Sequence, residues 1–125
     1  MLNLNSILIG SEDPERLIKF YGKVLGQKPD WGDGVWGGFK VGDGFITIGP
    51  HSEVKGANKE SGRLLFNFET SEVEEEFVRI KKLGAKVIAE PYNPMQEEGM
   101  LIATFADPDG NYFQLMSPME ENKSN

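Results

Sequence analysis

The chain has 125 residues, a formal net charge of −7, no cysteine and a single histidine, His51. This length suits one domain, residues 1–125, with a core that is stable without disulfides or structural metals. The negative charge argues against a nucleic-acid partner, because phosphate contacts need clustered lysine and arginine. No apolar run approaches the roughly 20 residues of a membrane span and residues 1–5 do not resemble a signal peptide, so we expect a cytoplasmic protein without a membrane partner.

The first half of the chain predicts a strand, a helix and three further strands. A strand-like run from Leu2 to Ile9 precedes Asp13, which can cap a helix that has Pro14 at its first position. Gly26 ends the helix. Its apolar residues recur at helical spacing: Leu17, Ile18, Tyr21, Val24 and Leu25. The three following strands are Pro29 to Trp31, Val35 to Val41 and Phe45 to Ile48.

The second half repeats this order after a polar linker, His51 to Ser61. A strand from Arg63 to Phe68 leads to a helix that starts at Ser71, with Glu74 completing a capping box, and ends at Gly84. The apolar face of this helix consists of Val73, Phe77, Ile80 and Leu83. The last three strands are Lys86 to Ala89, Met100 to Phe105 and Tyr112 to Met116. The halves therefore predict an internal repeat of two βαβββ modules, about residues 1–50 and 62–118.

One hairpin carries a resemblance to a known family. The segment Ala106-Asp-Pro-Asp-Gly-Asn-Tyr-Phe-Gln-Leu115 resembles the closing hairpin of the vicinal oxygen chelate superfamily, which contains glyoxalases, bleomycin-resistance proteins and extradiol dioxygenases. The segment from Ser6 to Gly26, including Phe20-Tyr21, is similar to the first strand and helix of that family. The resemblance implies an α+β fold in which two βαβββ modules form a curved mixed sheet, a cup, with the helices on its outer face. It also implies a homodimer, the alternative being a monomer whose two modules close on each other. The loop from Tyr92 to Gly99 has the composition of a loop that folds over the cup, and equally that of an ordinary exposed connection.

By the same comparison, four residues stand where metalloenzymes of this family hold their metal: Ser6, Thr47, Leu65 and Gln114. Catalytic divalent metals are held by imidazole, carboxylate or thiolate groups, which these residues do not supply. His51 lies in a loop-like segment and is most simply solvated. We therefore predict a protein without a metal or another cofactor. Because Ser6, Thr47 and Gln114 are also poor general acids or bases, the sequence favours a binding protein over an enzyme.

Trp31 and Trp36 lie in the segment from Asp30 to Phe39, among several glycines and two aspartates. Planar side chains on a bare backbone can sandwich a planar ligand, and neighbouring carboxylates can hold a cation. The alternative is that a tryptophan packs in the core or in a dimer interface. At the other end of the chain, strand alternation places Tyr112, Gln114 and Met116 together on one face.

These observations lead to the hypothesis of a metal-independent protein that binds a small molecule and sequesters an aromatic or cationic compound such as an antibiotic. The predicted ligand-binding residues are Trp36, Trp31, Ser6, Thr47, Leu65, Tyr112, Gln114 and Met116. Two alternatives stay open. One is a metal-dependent glyoxalase-like lyase, isomerase or dioxygenase, and the other is a sensory or structural dimer without a tightly bound ligand.

Overall fold

The computed structural model describes residues 1–94 and 99–118. Its contacts divide the chain into two compact units, with the boundary between Asn58 and Lys59, inside the predicted linker. Each unit has one helix and a four-stranded mixed sheet, in the order strand, helix, three strands. The predicted α+β class and the repeated βαβββ order are therefore confirmed. The centre of the predicted loop from Tyr92 to Gly99 lies outside the described residues.

The first unit places its strands in the order β1-β4-β3-β2. Strand β1 runs parallel to β4, whereas β3 pairs antiparallel with both β4 and β2. The elements are β1 (Ile7–Gly10), α1 (Pro14–Leu25), β2 (Trp31–Gly32), β3 (Gly37–Val41) and β4 (Gly44–Gly49). Because a parallel pair needs a crossover, α1 must cross one face of this sheet between β1 and its partner β4.

Helix α1 forms where its sequence predicts it. The Asp13 carboxylate accepts the backbone N–H of Arg16 at 3.3 Å and Pro14 stands in the first turn. At the other end, Gly26 adopts a left-handed conformation with φ 67° and closes the helix. The side chains that the helix buries are Leu17, Tyr21 and Val24. They belong to a core that the sheet completes with Ile9, Phe39, Ile46 and Ile48.

The second unit has the same topology, with strand order β5-β8-β7-β6 and a parallel pair between β5 and β8. Its elements are β5 (Leu65–Glu69), α2 (Val73–Lys82), β6 (Lys86–Tyr92), β7 (Ile102–Ala106) and β8 (Tyr112–Met116). The core is aromatic. Phe105 lies between Phe77 and Phe113, with ring centroids 5.2 and 5.6 Å away, and Phe113 also contacts Phe68 at 5.8 Å. Such pairs stabilise a core beyond the area that they bury.

Several predicted elements begin later than expected, with the largest difference in β1. Strand β1 begins at Ile7 and not at Leu2, and continuing its register with β4 would carry Leu2 beyond Gly44, the first residue of β4. The predicted capping box of α2 is absent as well. The helix starts two residues later than Ser71, its N-cap Glu72 makes no side-chain cap bond, and the Thr70 hydroxyl accepts the Glu72 N–H at 3.0 Å.

The turn that joins β7 to β8 is built around Asp107, which is 5% exposed. Its carboxylate accepts the backbone N–H groups of Asp109 at 2.9 Å and Asn111 at 3.0 Å, and also the Asn111 side-chain amide at 2.9 Å. Gly110 completes the turn with φ 84°, a conformation that glycine adopts without a steric penalty. The first carboxylate of the Asp-Pro-Asp-Gly-Asn sequence therefore organises the hairpin through three hydrogen bonds.

Replacing Asp107 with alanine should destabilise the second unit strongly. Two backbone N–H groups in a buried turn would lose their acceptor, and each such loss costs about 1–3 kcal/mol. We expect the free energy of unfolding, measured by urea denaturation, to fall by about 3 kcal/mol. Asp43→Ala, at an exposed turn position, is the matched control and should change it by less than about 0.5 kcal/mol. Equal losses in the two variants would contradict this role of Asp107.

Candidate functional site

The sheet of the first unit has one packed face and one open face. Ile9, Ile46 and Phe39 are buried on the packed face. The residues that alternate with them lie on the opposite face, which we call the first open face. One row of this face crosses all four strands, since the registers pair Leu8 with Thr47, Thr47 with Gly38, and Gly38 with Trp31.

The Trp31 indole lies directly over Gly38. A Cβ atom at Gly38 would overlap the Trp31 ring nitrogen and would stand only 2.8 Å from Phe45 Cε1. Only glycine therefore leaves room for the two aromatic rings above this point of the sheet. Trp31 is 44% exposed, so its ring covers the backbone and still presents a surface to solvent. The alternative that this tryptophan packs in the core does not hold.

Trp36 occupies a similar position over Gly49. A Cβ at Gly49 would overlap the six-membered ring of Trp36. Gly49 belongs to the same face as Thr47, two residues earlier in β4, and Trp36 is half-buried. The first open face thus carries two indoles, each lying over a glycine, and Thr47 lies on the same strand as Gly49 and in register with Gly38.

The two aspartates of this segment hold its backbone. Asp33 accepts the backbone N–H of Trp36 at 2.7 Å and that of Val35 at 3.0 Å, and these bonds hold the pKa of its carboxyl below the ordinary value of 3.8. Asp30 accepts the Lys40 N–H at 2.7 Å, while its own N–H donates to the Gly38 carbonyl. The carboxylates therefore shape the turn and position Trp36.

The second sheet also has an open face, which we call the second open face. Phe113 and Leu115 of β8 are buried, whereas Tyr112, Gln114 and Met116 are only partly buried, which confirms the alternation predicted for this strand. Gln114 Nε2 donates to the Thr104 hydroxyl of β7 at 3.0 Å. On the other side, Gln114 is in register with the exposed Asn67 of β5, and Leu65 is in register with Tyr112.

The four positions at which metalloenzymes of the resembled family hold a metal carry an unsuitable set of groups. Ser6 is exposed just before β1, and Thr47 lies on the first open face. Leu65 and Gln114 lie on the second open face, where the Gln114 amide is bonded to Thr104. Two hydroxyls, a hydrocarbon and an amide do not fit a divalent metal, which prefers charged or imidazole ligands.

The histidine and the acidic residues do not replace this missing set. His51 is exposed after β4, and its Nδ1 accepts the backbone N–H of Glu53 at 3.1 Å. Within residues 1–94 and 99–118, no three side chains of histidine, cysteine, aspartate or glutamate lie close enough together to hold a metal ion.

Several residues of the two open faces were not among the predicted site residues. They are Leu8, Gly38, Phe45, Gly49, Asn67 and Thr104. Alternation within β4 and β5 would have identified Phe45 and Gly49 beside Thr47, and Asn67 beside Leu65. A close approach of a ring to a glycine, in contrast, depends on the pairing register and is not visible in the sequence.

A groove of about 220 Å³ lies at the edge of the first sheet, between α1 and β2. Its lining is mostly carbon, and at its rim Lys19 is ion-paired with Glu15 at 3.4 Å. The other lining residues are Ile18, Pro29, Gly32, Gly34, Trp36 and Gly37. Trp36 therefore forms part of the groove wall as well as covering Gly49.

Comparison with known proteins identifies one family. The model of the glyoxalase-like domain family matches residues 6–116, while no curated protein sequence matches the chain significantly. None of the helices in the described part of the chain combines the length and the apolar character that a membrane span requires.

Three solved structures illustrate the likeness of the fold. A glyoxalase-related enzyme from Fulvimarina pelagi has a TM-score of 0.75 at 18% identity, covering 94% of this chain and 89% of that chain. A glyoxalase/bleomycin resistance protein/dioxygenase family enzyme from Burkholderia phytofirmans PsJN has a TM-score of 0.74 at 22% identity, with 94% and 100% covered. The fosfomycin resistance protein FosX from Listeria monocytogenes has a TM-score of 0.71 at 19% identity, with 95% of each chain covered. At these identities the likeness establishes the fold alone.

Replacing Gly49 with alanine should displace the Trp36 ring. The added methyl group overlaps the indole, so we expect a changed Trp36 emission maximum and a loss of about 1–3 kcal/mol in stability. Fluorescence is measured in a Trp31→Phe background, where Trp36 is the sole tryptophan. Gly62→Ala is the control, because a Cβ there meets nothing within 4 Å. An unchanged emission spectrum in Gly49→Ala would contradict the placement of Trp36.

The Asp33 carboxylate should stabilise the turn in a pH-dependent way. Since its folded-state pKa is lowered, the contribution is present above the ordinary pKa of 3.8 and is lost as the pH falls through the lower folded-state value. The stability difference between the native protein and Asp33→Asn should therefore be constant from about pH 7 to 5 and shrink at about pH 3, as measured by urea unfolding. A difference that persists unchanged at the lowest pH would show that the ionised carboxylate is not what holds the turn.

Proposed function

This chain belongs to the glyoxalase-like domain family of the vicinal oxygen chelate superfamily, and we propose on that premise that it is a metal-independent binding protein for a small aromatic molecule. The observation that carries the proposal is the pair of indoles held over Gly38 and Gly49 on the first open face. The proposed mechanism is sequestration. The ligand is bound and released without a change in its covalent bonds.

The aromatic surface supports a planar ligand. Trp31 and Phe45 meet above Gly38, and Trp36 lies above Gly49, so flat carbon surface is available without a large rearrangement. Rings held in this way lose little conformational freedom when a ligand stacks on them. Thr47, two residues before Gly49 and in register with Gly38, offers a hydroxyl that can donate or accept one hydrogen bond and orient the ligand.

Charged groups of both signs lie near the indoles. Lys40 is exposed and alternates with Phe39, which places its side chain on the same face as Trp31. The Asp30 and Asp33 carboxylates accept backbone N–H groups, and such hydrogen bonds do not remove the charge of a carboxylate. The proposed ligand is therefore defined by its aromatic surface and not by its charge.

The family setting supports a protective role. One solved structure with this fold is described as a fosfomycin resistance protein. We propose that the present protein likewise protects against a toxic small molecule, an antibiotic being the leading candidate, but by trapping it rather than by altering it. The unsuitable groups at the four family metal positions support this difference.

We further propose that the protein acts as a homodimer. Leu8 is 52% exposed on β1, which has no partner on its outer side within its own sheet, and burial of such an edge in a second copy removes unpaired backbone groups from water. Size-exclusion chromatography with light scattering tests this directly. A mass of twice the chain mass is expected, and a single chain mass at all concentrations would exclude it.

A thermal-shift screen in the presence of EDTA tests the proposed function. The panel contains planar aromatic antibiotics, cationic glycopeptides and small thiol conjugates, with Ni²⁺, Zn²⁺ and Mn²⁺ assayed separately without EDTA. We expect stabilisation by a planar aromatic compound and none by the metals, because a ligand that binds the folded state raises the melting temperature by mass action. Stabilisation by a metal alone would instead support the lyase or dioxygenase alternative. A screen without any response would favour the structural dimer.

Substitution of either tryptophan should then lower the affinity of the protein for the compound that stabilises it in the screen. Trp36→Ala and Trp31→Ala each remove a stacking surface worth about 1.4 kcal/mol, which corresponds to about a tenfold increase in Kd. Isothermal titration calorimetry measures the Kd. Val35→Ala is the matched control, because Val35 is exposed in the same turn between the tryptophans. Equal affinity in the alanine variants and the native protein would exclude the first open face as the site.

A further inference from the structure

We infer that the second open face binds an uncharged hydrogen-bonding edge, such as the adjacent N–H and C=O of a lactam or imide, through the side-chain amides of Asn67 and Gln114. The inference deepens the proposed function, on which it rests, by naming a chemical group that the ligand carries. It is argued from the second unit alone.

Three uncharged polar side chains form one row across this face. Asn67 of β5 is in register with Gln114 of β8, and Gln114 is in register with Thr104 of β7. Residues in register on neighbouring strands point to the same face, about 4.8 Å apart along the row. At this spacing two neighbouring side-chain amides can converge on one small ligand, because each extends from the sheet on rotatable side-chain bonds.

The hydrogen-bonding capacity of this row is only partly used. Gln114 donates one amide N–H to the Thr104 hydroxyl at 3.0 Å, which fixes the orientation of the amide. Its second N–H and its carbonyl make no hydrogen bond with the described residues, and the same is true of the whole Asn67 side-chain amide, which is exposed. An amide has two N–H donors and a carbonyl acceptor, so the row offers donors and acceptors side by side.

The neighbouring rows make the centre of this face neutral. On one side Tyr112 stands between Leu65 and Ala106, and on the other Met116 stands between Glu69 and Ile102. Glu69 on β5 and Lys86 on the edge strand β6 lie at the ends of these rows, away from Gln114. A charged ligand group at the centre would lose its hydration without meeting a counter-charge, whereas a lactam would exchange water for amide partners.

One member of this row stands at a family metal position. Where related metalloenzymes coordinate an ion, Gln114 presents a neutral amide that is already bonded to Thr104. An amide in this setting recognises a ligand by hydrogen bonds in a definite direction.

Proton–nitrogen correlation spectra of the full chain test the inference, because the side-chain NH₂ pairs of Asn67 and Gln114 and the indole N–H groups of Trp31 and Trp36 are all visible separately. The probe is 2-quinolinone, a planar lactam. Naphthalene matches its shape without polar atoms, while benzoate and benzamidine carry opposite charges. We expect 2-quinolinone to shift both NH₂ pairs in a saturable way and the other three compounds to leave them in place.

Asn67→Leu supplies the matched variant. Asn67 is exposed, so its substitution should preserve the fold, and the loss of two hydrogen bonds should raise the Kd for 2-quinolinone by about tenfold. Asn3→Leu, at an exposed amide outside the strands, should leave the Kd unchanged. Equal affinity of Asn67→Leu and Asn3→Leu would overturn the inference, and so would larger NH₂ shifts with benzoate or benzamidine.

The two tryptophan signals separate this inference from the proposed function. Shifts of the indole signals without NH₂ shifts would leave aromatic binding on the first open face standing and would overturn the lactam assignment. Shifts of the NH₂ pairs alone would support the lactam assignment and count against the first open face. Spectra that respond to none of the four compounds would count against both.

Discussion

The parallel ladder between the first and last strand of each half is the constraint on which the rest of the structure depends. Strand β1 pairs with β4, and β5 pairs with β8, and neither pair can be joined by a short turn. The helix in each crossover covers one face of its sheet and supplies the core, with Tyr21 buried in the first unit and Phe77 in the second. The opposite face of each sheet is not covered by the helix of its unit, and the two candidate binding surfaces are these open faces.

On the first open face, glycine does more than shape turns. Gly38 and Gly49 are strand residues whose missing side chains allow the rings of Trp31 and Trp36 to lie close to the backbone. An alanine at either position would push the indole away from the sheet. Glycine is thus required at these two positions by the packing of two aromatic rings. The Asp33 carboxylate holds the backbone of Trp36 in place by accepting its N–H. Aromatic surface and bare backbone together favour a flat ligand.

Much of the fold could be predicted from the sequence, because the signals that specify it are local. The Asp13-Pro14 start and Gly26 end of α1, the period-two pattern of β8 and the repeated element order all follow from neighbouring residues. The start of a strand that depends on its partner strand could not be predicted. Leu2, for example, has no pairing residue in β4, so β1 begins later than predicted. The role of Asp107 was missed because the residue types of a turn do not reveal which backbone N–H groups a carboxylate accepts.

The candidate site was predictable in part for the same reason. Residue types at the family metal positions argued against a metal before any geometry was known, and Gln114 could be placed with Tyr112 and Met116 by alternation. The neighbours of Gln114 could not be predicted from the sequence. Asn67 and Thr104 lie beside it through strand registers that join distant parts of the chain. Likewise, the glycines beneath the indoles are recognised only when the rings are seen above them.

We propose that an aromatic ligand binds on the first open face without a metal. A crystal structure of the protein grown with the aromatic compound that stabilises it most strongly, in the presence of EDTA, tests this proposal. We expect ligand density stacked on Trp36 or Trp31 and within hydrogen-bonding distance of Thr47. Density confined to the groove between α1 and β2, without contact to Thr47 or Trp31, would contradict the proposal, and so would a ligand that stays bound only when a metal ion is restored.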